Sequence, residues 1–452
     1  MAEGWKQMRR KDHVTRWPVV GRTIAAICFG IVAALSLSSP ASAWWNDDWQ
    51  LRKKITIDAS ASGANITDPI GGAAVLLRLH VGNFRFGAAK EDGGDLRFIA
   101  ADDKTPLKFH IEKYDSLLGE ALIWVAVPNL APGAKADVWL YSGNKKAVAV
   151  ADAKGTYDPD TLLVYHFAER GTPALDASVW ANNAQWDRLP ADGSMIGTGL
   201  RLDGSGPLTL PASPSLAVTA NGAFTWSAWI KPAALQPNAA LYSRRDGGNA
   251  IVIGLDNGAP FVEIDNAGSA QRSGAGVPVA AASWHHLAVV VGGGQVSLYL
   301  DGAPYASLAA ALPALNVVAL VGGDVASTVP SPAAAPAADP APAAAANAPA
   351  DAAASAPAPE AAPAVVAALP GFAGEIDELQ ISKVARPAGF VRLAAIGQGP
   401  DQAKLVSFSI DEETGSWLTG YFAVILKSVT LDGWVVIGLL MIMAVVSKAE
   451  HA

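Results

Sequence analysis

The pattern of hydrophobic and polar positions in the first third of the chain predicts a β-sandwich. Over Leu51–Ile57 the positions Leu51, Lys53, Ile55 and Ile57 alternate with Arg52, Lys54 and Thr56, as on a strand with one buried face. Compact apolar runs follow at Ala74–Val81, Glu120–Val127 and Ala136–Tyr141, with turn residues between them. We therefore predict a first domain of β-sandwich type over residues 44–150.

A second region with the strand pattern begins near Thr161. The segment Phe224–Ile230 has apolar residues mainly at every second position, which is typical of a half-buried strand, and Asp301-Gly302 predicts a hairpin turn. The strand candidates are Leu162–Phe167, Ala223–Ile230, Ala250–Leu255, Ala259–Ile264, Trp284–Val291 and Val296–Leu300. Since no long helical period interrupts them, we predict an antiparallel jelly roll over residues 160–396.

Residues 326–370 interrupt the second region with a stretch composed almost entirely of Ala and Pro. Such a segment cannot form a packed core, so we expect it to be extended or disordered. The sequence that follows, Gly371–Ser382, has the pattern of a last strand of the same jelly roll. The stretch is therefore interpreted as a loop insertion rather than an interdomain linker, because the entropy of loop closure grows slowly with length.

Both ends of the chain are apolar. A basic segment, the apolar run Ile24–Leu37 and the small residues Ala41-Ser42-Ala43 predict a signal peptide over residues 1–43, with an uncleaved anchor as the alternative. At the other end, residues 431–448 predict a transmembrane helix, preceded by a juxtamembrane segment over residues 400–430. The alternative is a buried helix. The expected location is the bacterial inner membrane, with both β domains in the periplasm.

Charge and cysteine content narrow the function classes. The net charge of -8 argues against a nucleic-acid partner, which calls for a basic face. The single cysteine, Cys28, lies within the predicted leader, so the mature chain is expected to have no disulfide, thiol chemistry or cysteine-based metal site.

Ordered motifs in the second region resemble the laminin-G-like, concanavalin A-like jelly roll. They are Tyr165–Phe167, Asp176–Asn183, Phe224–Trp229, Trp284–Leu287, Tyr299–Gly302 and Gly374–Leu379. The first domain, from Trp45 to Asn144, is similar to an uncharacterised bacterial domain often found ahead of such modules. Together these resemblances imply a mainly β protein with a sandwich followed by a jelly roll and a C-terminal transmembrane helix.

The tail resembles the approach to the first transmembrane helix of the MotA/TolQ/ExbB proton channel family, through Asp411-Glu412-Glu413 and Asp432-Gly433-Trp434. Some larger members carry the same pair of periplasmic domains. The resemblance implies the binding or scaffolding region of an ExbB-like subunit for biopolymer transport, truncated after its first helix. Its implied partners are an ExbD- or TolR-like subunit and further copies of the chain. The alternative is a lectin-like carbohydrate binder of the cell envelope, anchored by one helix.

An enzyme is the third reading, from Glu375-Ile376-Asp377-Glu378-Leu379-Gln380. This segment resembles the E-I-D-x-x-E strand motif of laminarinase-type glycoside hydrolases, in which both glutamates are catalytic. Here Gln380 stands at the position of the acid/base, and an amide cannot exchange a proton as a carboxyl does. We therefore predict that the chain is not an enzyme and that its apolar residues belong to the core, with a bulge between Ile376 and Leu379.

Two kinds of binding residue are predicted in the jelly roll. Laminin-G-like domains often bind calcium through loop oxygens, and Asp176, Asn182 and Asp377 are the matching candidates, with loop capping as the alternative. For a sugar or protein ligand the candidate is Trp180, which lies in a predicted loop, whereas tryptophans in strands are expected mostly in the core.

Overall fold

A computed structural model describes residues 44–186, 189–329 and 364–414, together with Gly433 and Val436. The first part comprises β1 (Leu51–Asp58), β2 (Ala73–His80), β3 (Arg97–Ala100), β4 (Phe109–Asp115), β5 (Glu120–Val127), β6 (Lys135–Ser142) and α1 (Ala153–Thr156). The next comprises β7 (Thr161–Tyr165), β8 (Leu189–Asp192), β9 (Thr198–Asp203), β10 (Leu208–Leu210), β11 (Phe224–Pro232), β12 (Ala239–Asp246), β13 (Asn249–Asp256), β14 (Ala259–Asn266) and β15 (Ser269–Arg272). The last comprises β16 (His285–Gly292), β17 (Gln295–Leu300), β18 (Ala303–Ala309), β19 (Ala319–Val321), β20 (Ser327–Val329), β21 (Ala364–Val366), β22 (Ala373–Ser382), α2 (Ala388–Gln398) and β23 (Val406–Glu413). Short 3-10 turns span Pro214–Leu216 and Gln402–Lys404.

The first sandwich consists of a four-stranded sheet, in the order β23-β1-β6-β3, and a three-stranded sheet, β2-β5-β4. Its core includes Ile55, Leu77, Phe98 and Ile123, each almost fully buried. The predicted alternation is seen in the second half of β1, where Ile55 and Ile57 enter this core because successive residues of a strand point to opposite faces. The predicted β-sandwich is present.

Strand β23 adds an element to this sandwich that the sequence pattern did not predict. Val406–Glu413 pairs antiparallel with β1, so part of the segment expected to be juxtamembrane completes the edge of the first sheet. Its acidic end forms ion pairs with the same sandwich, including Glu412 with Arg52 at 2.7 Å and Asp411 with Lys53 at 3.2 Å. The rest of residues 400–430, beyond Thr414, lies outside the described residues.

The second sandwich has a sheet in the order β18-β17-β16-β11-β22-β9-β8, with β7 also paired to β22, facing a sheet in the order β10-β19-β12-β13-β14-β15. Large apolar side chains, among them Trp226, Tyr242 and Phe372, fill a single core. This arrangement is the predicted concanavalin A-like jelly roll. Strand β22 pairs with β11, so the segment after the Ala/Pro stretch does return to the same sandwich.

The expectation that β11 is half-buried is wrong. Trp226 and Trp229 are 0% and 3% exposed, although their odd spacing places them on opposite faces of the strand. The second face is covered because helix α2 packs against it, with Val391 beside Ala288 and Val290. The indole of Trp229 also donates to the Gln398 side chain at 2.8 Å.

Helix α2 connects the two sandwiches. Leu393 belongs to the core of the first sandwich, whereas Val391 packs on the second. The Arg392 guanidinium donates to the Ala64 carbonyl at 2.7 Å, which ties the helix to the first sandwich. The two β domains are therefore joined through packed side chains and not only through the chain connection near Asp160.

The predicted insertion and the predicted ends fall largely outside the described residues. At the edges of the insertion β20 and β21 pair antiparallel, which holds the two ends of the loop together. Residues 1–43 lie outside the described ranges, as do residues 431–448 apart from the helical Gly433 and Val436. Within the described ranges, neither helix has the length and hydrophobicity needed to cross a bilayer.

Candidate functional site

The loop between β7 and β8 carries the predicted ligand residue Trp180. Its side chain is 40% exposed, and its indole N–H donates to the Pro159 carbonyl at 3.2 Å. The Lys383 ammonium lies 5.6 Å from the centroid of the ring. These contacts hold the indole at the surface in one orientation with part of the ring open to solvent.

Asp176 organises the loop that positions Trp180. One carboxylate oxygen accepts the backbone N–H groups of Val164 and Ser178, both at 2.9 Å. The other accepts the Ser178 hydroxyl at 2.7 Å and the Asn182 backbone N–H at 2.8 Å. A buried carboxylate that accepts four hydrogen bonds fixes the backbone around it. The loop is therefore held in place by contacts within and next to it.

The same loop exposes a second tryptophan, Trp186, which is 62% exposed. The apolar side chains of Leu175, Val179 and Leu189 are also exposed on or beside this loop. Trp186 is not among the ligand residues predicted from the sequence, although it lies outside every predicted strand, as Trp180 does. Exposed apolar side chains concentrated on one loop are a feature of binding surfaces.

The three calcium candidates already take part in hydrogen bonds with N–H and O–H groups of the protein. Asp176 and Asn182 lie in one network, and the Asn182 side-chain oxygen accepts the Ser213 hydroxyl at 2.5 Å. Asp377 belongs to a different network, where its oxygens accept the backbone N–H groups of Ile196 at 2.8 Å and Glu378 at 2.9 Å. These contacts correspond to the loop-capping alternative, and calcium at these residues stays a prediction.

The residues of the hydrolase-like motif all lie on β22, but their side chains enter different surroundings. Glu375 forms ion pairs with Arg201 and Lys231, both at 3.0 Å. The predicted bulge is present, since the register between β11 and β22 shifts after Asp377 and Glu378 has a φ of 52°. A bulge redirects side chains, and here it turns Glu378 into the interior.

Glu378 belongs to a buried cluster that the sequence analysis missed. His166, which directly follows β7, lies with its Nδ1 atom 2.8 Å from Glu378 Oε1 and 3.6 Å from Glu112 Oε2. Glu112 is on β4 of the first sandwich, so the cluster lies between the two domains. The Tyr157 hydroxyl is 2.9 Å from His166 Nε2, and the Trp124 indole donates to Glu112 at 2.8 Å.

Burial dominates the electrostatics of this cluster. It raises the pKa of Glu112 to about 7, and it raises the pKa of Glu378 well above its usual range. It lowers the pKa of His166, while the Glu112 carboxylate acts in the opposite direction. The pKa of Asp377 is also raised well above its usual range by burial and then by Glu378. Each charged form is thus disfavoured by loss of water, and the cluster can hold either shared protons or a cation.

A cavity of about 360 Å3 lies beside the cluster. Its lining includes Trp124, Tyr157 and Gln380, and it reaches Phe390 and Gln398 of helix α2. Two of these residues donate to or contact the cluster directly, so the cavity and the buried carboxylates share a wall.

Family models match two parts of the chain. The model described as Concanavalin A-like lectin/glucanases superfamily matches residues 202–330, within the second sandwich. The model described as Domain of unknown function (DUF2341) matches residues 92–183, from the first sandwich into the Trp180 loop. These matches do not show a link to the MotA/TolQ/ExbB family, which stays a prediction. A search of curated protein sequences finds no match to this chain.

Solved structures show distant likenesses. Domain 4 of AbnA, a GH43 extracellular arabinanase from Geobacillus stearothermophilus solved with arabinotriose, is 20% identical over 52% of this chain and 98% of its own, with a TM-score of 0.35. The binding domain of Paraclostridial Mosquitocidal Protein 1 is 13% identical over 52% of each chain, with a TM-score of 0.36. A botulinum neurotoxin serotype C1 binding domain is 10% identical over 53% of this chain and 52% of its own, with a TM-score of 0.35. The chain thus spans about half of each toxin binding domain, and nothing about its own ligand follows from these likenesses.

Proposed function

We propose that this chain is a carbohydrate-binding, lectin-like module of the bacterial cell envelope, with Trp180 as the residue on which the sugar stacks. The observation that carries the proposal is a partly exposed indole on a loop fixed by the buried Asp176. Since the ring is already ordered, little conformational entropy is lost when a ligand covers it.

The chemistry around Trp180 suits a glycan. A tryptophan presents a flat apolar face and a polar edge, which matches the C–H faces and hydroxyl groups of a sugar ring. The Lys383 ammonium, close to the ring and paired with Asp160 at 3.4 Å, supplies N–H donors for hydroxyl oxygens. Trp186 is a second exposed tryptophan on the same loop.

Binding is favoured over cleavage by the residues of the hydrolase-like motif. Gln380 cannot serve as the proton donor, and Glu375 is paired with two cations and not with a second carboxyl. The match to a superfamily of lectins and glucanases agrees with either activity, and the residues present favour the lectin side.

The proposed cellular location rests on the sequences of the two ends of the chain. A signal peptide over residues 1–43 and a membrane helix over residues 431–448 would present the module in the periplasm at the inner membrane. An ExbB-like role with an ExbD- or TolR-like partner is a further step, for which co-purification of such a subunit with the full chain is the test.

Glycan-array binding of the full chain tests the sugar-binding proposal. Trp180→Ala is expected to weaken binding at least tenfold, since truncating a central aromatic contact costs about 2 kcal/mol or more. Trp180→Phe is expected to retain most of the affinity because it keeps a stacking ring. Leu117→Ala removes a side chain that is 96% exposed on the first sandwich and should bind as the unaltered chain does. Glycan binding that is unchanged in Trp180→Ala would contradict the proposed site.

A further inference from the structure

The buried cluster between the two sandwiches has the composition of a metal centre. Glu112, His166 and Glu378 each offer one ligand atom, and the three atoms lie within 4.8 Å of one another. Glu112 comes from the first sandwich, whereas His166 and Glu378 come from the second. In the described part of the chain no other trio of His, Cys, Asp or Glu side chains meets in this way.

Two of the three distances between the ligand atoms are close to those around a small ion bound by nitrogen and oxygen. With metal–ligand bonds of about 2.0 Å, neighbouring ligand atoms of a tetrahedral zinc site lie roughly 3.3 Å apart. The distances from His166 Nδ1 to Glu378 Oε1 and Glu112 Oε2 are 2.8 and 3.6 Å, on either side of that value. An imidazole beside two carboxylates suits zinc and related divalent ions, whereas calcium and magnesium prefer oxygen ligands alone.

The surrounding residues orient the ligands as they do in metal sites. The Tyr157 hydroxyl contacts His166 Nε2 at 2.9 Å, which fixes the ring so that Nδ1 faces the two carboxylates. The Trp124 indole donates to Glu112 at 2.8 Å and fixes that carboxylate in turn. Glu378 Oε2 is fully buried and has no hydrogen-bond partner of normal geometry, although the Gln380 side chain acts to lower the pKa of this carboxyl.

The charges near the cluster are unbalanced. The Arg78 guanidinium faces the three carboxyl groups of Glu112, Glu378 and Asp377, and a fourth carboxyl, that of Glu120, is paired with Lys113 at 2.8 Å. When all three carboxyls are ionised, two negative charges remain, which a divalent cation would neutralise. Buried charges in proteins are ordinarily paired or bound to metal ions.

We propose that Glu112, His166 and Glu378 bind one divalent transition-metal ion, with zinc as the best fit, and that the ion joins the two sandwiches. This site is independent of glycan binding at Trp180. A metal link would serve a chain whose single cysteine, Cys28, lies in the predicted leader, because disulfides could not fasten its mature domains. The alternative occupants of the same space are protons shared among the three side chains.

Zinc titration of the chelator-treated full chain tests the proposal. We expect one bound zinc per chain by elemental analysis, micromolar or tighter binding by calorimetry, and a rise of several degrees in the melting temperature. Calcium at the same concentration is expected to leave the stoichiometry and affinity of zinc unchanged. Absence of bound zinc together with an unchanged melting temperature would overturn the proposal, as would binding of calcium in preference to zinc.

Matched glutamate-to-glutamine variants distinguish a bound metal from shared protons. Glu378→Gln and Glu112→Gln keep the size of the side chain, and each is expected to weaken zinc binding at least tenfold and abolish the thermal shift. Glu375→Gln, on the same strand β22 but paired with Arg201 and Lys231, should bind zinc as the unaltered chain does. If the cluster holds only protons, Glu378→Gln melts at or above the temperature of the unaltered chain and zinc shifts neither protein. If Glu378→Gln does not fold, the zinc stoichiometry of the unaltered chain and of Glu112→Gln decides the question.

Discussion

The two sandwiches are both completed by strands from late in the chain, but in different ways. In the first, β23 adds to the edge of a sheet, where Arg52, Lys53 and Arg85 pair with its acidic residues. In the second, β22 enters the middle of a sheet and contributes buried apolar side chains such as Ile376 and Leu379. The first junction thus combines charge pairing at an edge with burial of Val406, whereas the second depends mainly on core packing, and different substitutions should disturb each.

The largest effect is expected from the core of the second sandwich. Trp226→Ala removes a side chain that is fully buried between the two sheets, and should lower the free energy of unfolding by about 3–5 kcal/mol. Denaturant unfolding followed by circular dichroism measures this change. Trp186→Ala, which removes a largely exposed tryptophan, should change the stability by under about 0.5 kcal/mol. Equal losses in the two variants would show that burial does not determine stability here.

An intermediate effect is expected at the junction of the first sandwich. Arg52 contacts Asp103 at 2.5 Å and Glu412 at 2.7 Å, and its side chain is almost fully buried. Arg52→Ala leaves Asp103 buried without its cation and should cost about 3 kcal/mol of unfolding free energy. Arg85→Ala, which removes an exposed partner of the same strand, should cost less than about 1 kcal/mol. A larger loss in Arg85→Ala than in Arg52→Ala would contradict the importance of the buried pair.

The smallest expected effect is a pH dependence of the unfolding free energy that arises in the second sandwich. Burial lowers the pKa of His286 to about 4, from an ordinary value of 6.5. Because the folded pKa is depressed, the stabilisation is present above pH 6.5 and is lost as the pH falls towards 4. Between pH 7 and pH 5 this corresponds to a loss on the order of 2 kcal/mol. Denaturant unfolding across that range should show a shallower pH dependence in His286→Phe than in the unaltered chain. An identical slope in both proteins would assign the acid sensitivity to other groups.

Local patterns predicted half of the strands of the second sandwich, namely β7, β11, β13, β14, β16, β17 and β22, and missed others such as β12. The run Ala259–Ile264 and the turn at Asp301-Gly302 both lie where the alternation and the turn residues indicated. The bulge near Glu378 was also predicted, because Ile376 and Leu379 could not both face the core on a regular strand. Such features depend on neighbours in sequence, which a single chain displays directly.

Features that depend on distant segments were not predictable in the same way. The pairing of β23 with β1 places Leu51 opposite Glu413. The local sequence of either strand does not indicate which strand it pairs with. The burial of both faces of β11 depends on helix α2, which follows more than 150 residues later. The Glu112–His166–Glu378 cluster likewise combines three elements, and none of its members stands in a spacing that indicates a metal site.

The position of β23 also sets an order of events. A chain synthesised or translocated from its N-terminus presents β1 early, while the neighbour that covers the edge of β1 emerges about 350 residues later. Until then the first sheet has an open edge, which is a template for pairing with other chains. A chaperone that protects the emerging chain would therefore have to cover the first domain for longer than the second, although the first domain is made earlier.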